Sequence, residues 1–357
     1  MDNDRQTQKP KGKRRLLRGA CVVAALAALL FGIVWWIMLR MPGTSYHGEL
    51  PAPDESLKLL AEELRREVRR LAVDIGERNV GNRPQQLSQA ADYIEAQFKA
   101  AGCGVKRQEY EVSGATCYNL AAEIAGKTRP GEIVVVGAHY DTVVGTPGAN
   151  DNTSGDAGTI ALARRFSGRT SDRTLRFLAF VNEEPPYFQT EKMGSRVYAR
   201  QCRQDHDNIV AMLSLETLGW YDDKPGSQNY PPPFGLLYPS TGNFIGFIGN
   251  IRSRDLVRQA IGTFRRWEHF PSEGAALPEA IPGVGFSDQW SFWQEGYPAI
   301  MVTDTALFRY PHYHHPGDTI DKVDFDRMSR VVRGLEEVVA ELALTHQGAE
   351  PSALKEK

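Results

Sequence analysis

Apolar positions change their spacing several times along this chain, and each change predicts a different element. From Leu57 to about Ile75, in LKLLAEELRREVRRLAVDI, they recur at helical intervals among charges, which predicts an amphipathic helix. A second helix is expected over SQAADYIEAQFKAAG, capped by Ser88 and closed by Gly102. Beyond it the spacing collapses into short, solidly apolar runs. EIVVVGAHY, TLRFLAFV and NIVAMLSLETLG read as strands, and the intervening DAGTIALARRF and MGSRVYARQ read as helices. This alternation predicts an α/β fold: a mixed, largely parallel central β-sheet with helices on both faces. Residues 222–243 and 268–286 are irregular, and irregular segments of that length are expected to be functional loops.

The N-terminus follows another pattern. Residues 1–18 carry seven Lys or Arg against two Asp and lead into GACVVAALAALLFGIVWWIML, Gly19 to Leu39, which is 21 residues without a charge. At 1.5 Å per residue the run spans roughly 30 Å, the thickness of a bilayer's hydrocarbon core. Trp35 and Trp36 stand near one end, where an interfacial belt would place them. The run exceeds the about 7–15 apolar residues of a cleaved signal peptide, and it ends in Arg40-Met41-Pro42. The chain therefore reads as a basic cytoplasmic segment (1–18), a single N-terminal transmembrane helix (19–39), a linker (40–57), one domain (58–346) and a tail (347–357). A basic flank stays in the cytoplasm, so the domain is expected on the extracytoplasmic side of the cell membrane.

Composition sets limits. With 41% hydrophobic and 24% charged residues the composition is globular, and a formal net charge of −2 gives no hint of a nucleic-acid partner. Cys103, Cys117 and Cys202 follow the apolar run, so at most one disulfide can form among them, and no Cys/His cluster suggests a thiolate-bound metal.

In open α/β sheets, sites form at the carboxyl ends of strands. EIVVVGAHYD ends in His139 and Asp141, TLRFLAFVNEE in Glu183 and Glu184, and NIVAMLSLETLG carries Glu216. TPGANDNTSGD places Asp151 before a helix, and YPHYHHPGDT supplies His312, His314 and His315 after the strand AIMVT. Imidazoles and carboxylates gathered this way are the ligand types of zinc. Asp141, two residues after His139, suits the partner that orients the imidazole. The adjacent glutamates of FVNEEPP repel each other and need a cation or a proton nearby.

GAHYDT, GANDNTSG, FVNEEPP with MGSRVYA, SLETLGW, FSDQW and YHHPGDT occur in that order over some 180 residues. Over roughly residues 70–345 the chain resembles the zinc-dependent exopeptidases of metallopeptidase clan MH. Within them it is similar to the bacterial di-zinc aminopeptidases, whose family also holds glutamate carboxypeptidase-type enzymes and glutaminyl cyclases. The resemblance implies two zinc ions per chain: His139 and Glu216 on one, Glu184 and His314 on the other, and Asp151 bridging both. It implies Glu183 as general base, a cis peptide after Asp151, and Asp288 close to the site or the substrate. Three ligand carboxylates against two Zn²⁺ leave a formal +1, which a hydroxide between the ions would bring to zero, and a nearly neutral cluster is easier to bury than a charged one.

Two positions depart from the family pattern. Glu216 stands where many members carry Asp, and Gln289 follows Asp288 where His is usual. The function implied is a membrane-anchored metallo-aminopeptidase acting on peptides. The alternatives are a glutaminyl-cyclase-like enzyme with one zinc, and a catalytically inactive ectodomain that binds a partner.

Overall fold

The computed structural model describes residues 35–344 and, before them, residues 21, 23, 25, 26, 29, 32 and 33. The chain divides into a segment up to Arg40 and a body from Met41 onward. In the first segment, Trp35–Leu39 form one π-helical turn, and the Arg40 guanidinium lies 4.0 Å over the Trp36 ring. Nine of the 21 residues of the predicted anchor and the whole basic segment fall outside the described residues. Among the described residues no helix is long and apolar enough to cross a membrane.

The body opens with helix α1 (Glu55–Val68), capped by Asp54, whose side chain accepts from Leu57 N. The apolar period continues past it as a π-helical turn, Arg69–Ile75, which stops at Gly76 with φ 82°. Helix α2 runs Pro84–Ala100. Its start corrects the expected Ser88 cap: Pro84 holds the first helical position, where a missing N–H costs nothing. Ser88 therefore lies inside the helix. The expected linker also differs, since residues before α1 are bound to the body. Arg265 donates to Pro42 O and Gly43 O, and Ser272 N donates to Ser45 Oγ at 2.9 Å.

Eight strands form one sheet: β1 (Gly104–Val112), β2 (Ala115–Ile124), β3 (Arg129–His139), β4 (Arg173–Phe180), β5 (Asn208–Glu216), β6 (Ile245–Asn250), β7 (Ser272–Leu277) and β8 (Ala299–Thr303). Their spatial order is β1-β2-β4-β3-β5-β8-β6-β7. The central strands β4, β3, β5 and β8 are mutually parallel, whereas β1 with β2, β2 with β4, and β6 with β8 pair antiparallel.

Val134, Val135 and Val136 are all buried, because successive side chains enter the cores on opposite faces. One core joins Val134, Val136, Phe177 and Leu213 to α1, α2, α3 (Thr153–Phe166), α5 (Arg254–Trp267) and α8 (Phe325–Ala343), where α8 contributes Val332 and Leu335. On the other face Phe180 packs against Tyr198 of α4 (Gly194–Gln204) and Phe292 of α6 (Gln289–Gln294). A short helix α7 (Ala306–Arg309) follows β8. Strand β7 lies inside 268–286, which the sequence alone leaves irregular, and 222–243 holds a short 3-10 turn, Phe234–Leu236, and a single antiparallel bridge between Pro225 and Thr241.

Candidate metal centre

Each parallel strand delivers its chemistry where it ends. His139 is the last residue of β3, Glu216 the last of β5, and Glu183 and Glu184 follow β4 by three and four residues. Asp151 precedes α3, and His314 follows β8 and α7. The N-cap of α3 is Asn152, whose side chain accepts from Gly155 N and Thr217 N, so the Asp151 carboxylate is free of capping. Gly155 lets this helix end approach β5: a Cβ there would meet Leu215 O at 2.3 Å. The Asp151–Asn152 peptide is cis.

These side chains converge in three overlapping groups: His139 with Asp151 and Glu216, Asp151 with Glu184 and His314, and His139 with Glu183 and Glu184. Asp151 belongs to the first two. His139 Nε2 lies 3.5 Å from Asp151 Oδ1 and 3.3 Å from Glu216 Oε2. His314 Nε2 lies 3.1 Å from Asp151 Oδ2 and 3.2 Å from Glu184 Oε2. The two oxygens of Asp151 therefore face different groups. Ligands held about 2.0–2.2 Å from a tetrahedral zinc stand about 3.3 Å from one another. All four separations fit that figure. The donors are imidazole nitrogen and carboxylate oxygen, and both His139 nitrogens, Asp151 Oδ2 and Glu184 Oε1 are buried without a hydrogen-bond partner. Such orphaned atoms are costly unless a cation takes them. The residues fit zinc.

Glu216 reaches the His139 group despite its extra methylene. It accepts from Ser287 Oγ at 2.6 Å and Asn152 Nδ2 at 3.3 Å. Glu183 Oε2 stands 3.7 Å from His139 Nε2, so Glu183 joins His139 and Glu184 but neither of the two groups that Asp151 links. Asp141 Oδ1 faces His139 Nδ1 at 3.6 Å, longer than a hydrogen bond, and its hydrogen bonds go elsewhere. Glu183 N and Glu184 N each donate to it at 3.1 Å, so it fixes the backbone of both glutamates. Asn182, Thr217 and His314, each beside or within the site, have left-handed φ of 61°, 53° and 58°. For non-glycine residues that backbone is strained and needs surroundings that impose it.

Burial and neighbouring charges shift the centre's groups in both directions. Burial pushes Glu184 up to about 8, with Asp151 adding repulsion, and raises Glu183 and Glu216 as well. Burial disfavours the charged form of His314, but Asp151 and Glu184 overcome it and lift the ring to about 10. Asp151 moves the other way: burial would raise it, yet His139 and His314 hold it low.

The remaining expected residues separate. Asp288 is fully buried, with neither oxygen hydrogen-bonded, and burial pushes it to about 7. His312 packs against Tyr310 and Trp220, and His315 joins none of the three groups. Several supports carry no signal in the sequence reading. Asp318 accepts from Asn150 N, Asp151 N and the Tyr310 hydroxyl, and Asp304 accepts from Asn150 Nδ2 and Trp220 N.

Beside Glu216 and Tyr313 opens a cavity of about 110 Å³ that crosses β8 and β6 to Glu273 on β7. Tyr230, Phe234, Phe286, Phe308 and Met301 form much of its wall, and its lining includes no Lys or Arg. Both irregular segments contribute to it. Cys103, Cys117 and Cys202 are buried free thiols.

The model of peptidase family M28 matches residues 119–339. The chain is 36% identical over 283 residues to the uncharacterized protein YfbL of Escherichia coli (strain K12), covering 77% of this chain and 86% of that one. It is 28% identical over 223 residues to a probable leucine aminopeptidase of Arthroderma otae, covering 59% of this chain and 53% of that one. Its fold is similar to that of a zinc aminopeptidase from Bacillus subtilis, with TM-score 0.65, 14% identity, and coverage of 81% and 96%. A glutaminyl cyclase from Fimbriiglobus ruber has a similar fold too, with TM-score 0.59, 19% identity, and coverage of 82% and 97%.

Proposed function

The chain belongs to peptidase family M28 and is a hydrolase of metallo-aminopeptidase type; from that premise we propose that it binds two zinc ions and removes N-terminal residues from peptides. The observation that carries the reading is Asp151, whose two oxygens lie at contact distance from two different ligand sets, with Glu183 left outside both. His139 and Glu216 would hold one ion, Glu184 and His314 the other, and Asp151 both. Zinc there supplies Lewis-acid polarisation of a carbonyl and acidification of a water. Glu183, raised by burial and held by the Asp141-bound backbone, takes the proton of the attacking water and returns it to the leaving amine. Asp141 and Asp318 keep the glutamate pair and the Asp151 backbone in register for that transfer. The apolar cavity beside Glu216 receives the side chain of the substrate's N-terminal residue. An acidic side chain would meet Glu216 and Glu273 there and no cation, which supports aminopeptidase action over removal of C-terminal acidic residues.

Residues 19–39 would anchor the enzyme in the cell membrane, with the body on the extracytoplasmic side. The 21-residue uncharged run and its basic flank support that placement. The test is zinc content together with hydrolysis of aminoacyl amides and their N-acetylated counterparts by the full-length protein in detergent. Two zincs and activity confined to free N-termini are expected. Cyclisation of N-terminal glutamine at one zinc, or cleavage of blocked substrates, would overturn the aminopeptidase reading.

A further inference from the structure

Arg78 heads the fully buried side chains in size, and nothing in the mechanism above uses it. A buried guanidinium must find acceptors for five N–H groups. Nε donates to Tyr140 O at 2.8 Å, and Nη2 to Thr153 Oγ1 at 2.8 Å. Nη1 lies 3.0 Å from Leu71 O, 2.8 Å from Gly76 O and 3.0 Å from Pro147 O. The backbone adds two bonds: Arg78 N donates to Thr142 Oγ1 at 3.0 Å, and Thr142 N donates to Arg78 O at 2.7 Å.

These acceptors have a pattern. Tyr140 sits between His139 and Asp141, Thr142 follows Asp141, and Thr153 lies two residues after Asp151. One planar fork therefore joins both ends of the segment 139–153, which brings His139 and Asp151 to the same metal position. Leu71 and Gly76 tie the fork to the end of the helical segment that begins with α1. Asp156, Asp141, Asp318 and Asp151 are the charges that act on it. The fork's own hydrogen-bond acceptors are all neutral, so these acids act on it through the field rather than by contact.

We propose that Arg78 is a positioning residue for the metal centre: its fork fixes His139 relative to Asp151 and thereby sets how tightly the site holds zinc. The inference rests on the zinc reading of that site. Lysine would restore the charge but not the span. Its ammonium is a single point with three donors and cannot reach Tyr140 O and Thr153 Oγ1 together.

The test compares zinc affinity, by competition with a chelator, in the full-length wild type, Arg78→Lys, Thr153→Val and Thr153→Ser, with circular dichroism as the check on folding. Supports of metal ligands change affinity by about 10–100-fold, and folded Arg78→Lys is expected to lose that much. Thr153→Val leaves the guanidinium in place but removes one fork acceptor together with the bond that the hydroxyl donates to Gly148 O at 2.6 Å. It is therefore read against Thr153→Ser, which keeps the hydroxyl and should bind zinc like wild type; the pair decides the matter if Arg78→Lys does not fold. Thr153→Val is expected to weaken zinc about tenfold. Affinity within about threefold of wild type in folded Arg78→Lys and Thr153→Val would overturn the proposal, whatever happens to thermal stability. A wild type that binds no zinc would overturn the metal reading itself, and this inference with it.

Discussion

Asp141→Asn removes very little matter and should do disproportionate harm. The Asp141 carboxylate accepts from Glu183 N and Glu184 N at 3.1 Å each, one through each oxygen. Asparagine keeps one acceptor and turns the other into an N–H donor, so one of those backbone groups loses its partner inside a buried site. Hydrogen bonds to charged groups are worth about 1.5–3 kcal/mol, which corresponds to about 10–150-fold in an equilibrium or a rate. The loss falls on the backbone that carries both the base and a ligand. Zinc affinity by chelator competition and kcat/KM on an aminoacyl amide should together lose that factor, while the helix content by circular dichroism is unchanged. If both quantities stay within threefold of wild type, the claim that Asp141 organises the glutamate pair is wrong.

Other expectations follow from the same geometry. His314→Ala should remove about one zinc per chain, whereas His315→Ala should leave zinc content unchanged; the opposite result by metal analysis would move the ligand. Zinc-stripped protein should lose stability as pH rises from about 5 to 10. Glu184 (about 8) and His314 (about 10) both sit above their ordinary values, so the folded state holds the extra protons and their contribution disappears through that window. Asp151, shifted down, opposes this only in strong acid, and thermal melts that rise with pH across 6–9 would contradict the assignment. Removing residues 1–40 should leave an active, detergent-independent protein. Removing 1–45 should be less stable by about 1–3 kcal/mol, because it strips Arg265 and Ser272 N of the partners supplied by Pro42, Gly43 and Ser45. Equal melting temperatures for the two truncations would refute that.

The parts of the fold legible in the sequence are those whose burial is complete. β3, β4 and β5 are covered on both sides and read as solid apolar runs, and their ends carry His139, the glutamate pair and Glu216. β1 and β7 escape notice for opposite reasons. GVKRQEYEV is an edge strand with mostly polar residues, and SEGAAL is short and set among glycines and prolines. Ser88 misled because a good capping residue in sequence lost to Pro84, which fixes the first helical φ. In the site, ligand candidates announce themselves by residue type and position, but their supports do not. Arg78, Ser287, Asp304 and Asp318 reach the site through the bonds to Thr142, Glu216, Trp220 and Asn150, across 64 to 168 positions of chain, which no local pattern encodes.

The central claim is that neighbouring glutamates divide the work, Glu184 as ligand and Glu183 as base. Zinc per chain, measured side by side in wild type, Glu183→Gln and Glu184→Gln, tests it most directly. The account predicts two, two and about one, with Glu183→Gln losing about 10²–10⁴ in turnover while keeping its metal. Loss of zinc from Glu183→Gln and full retention by Glu184→Gln would contradict it.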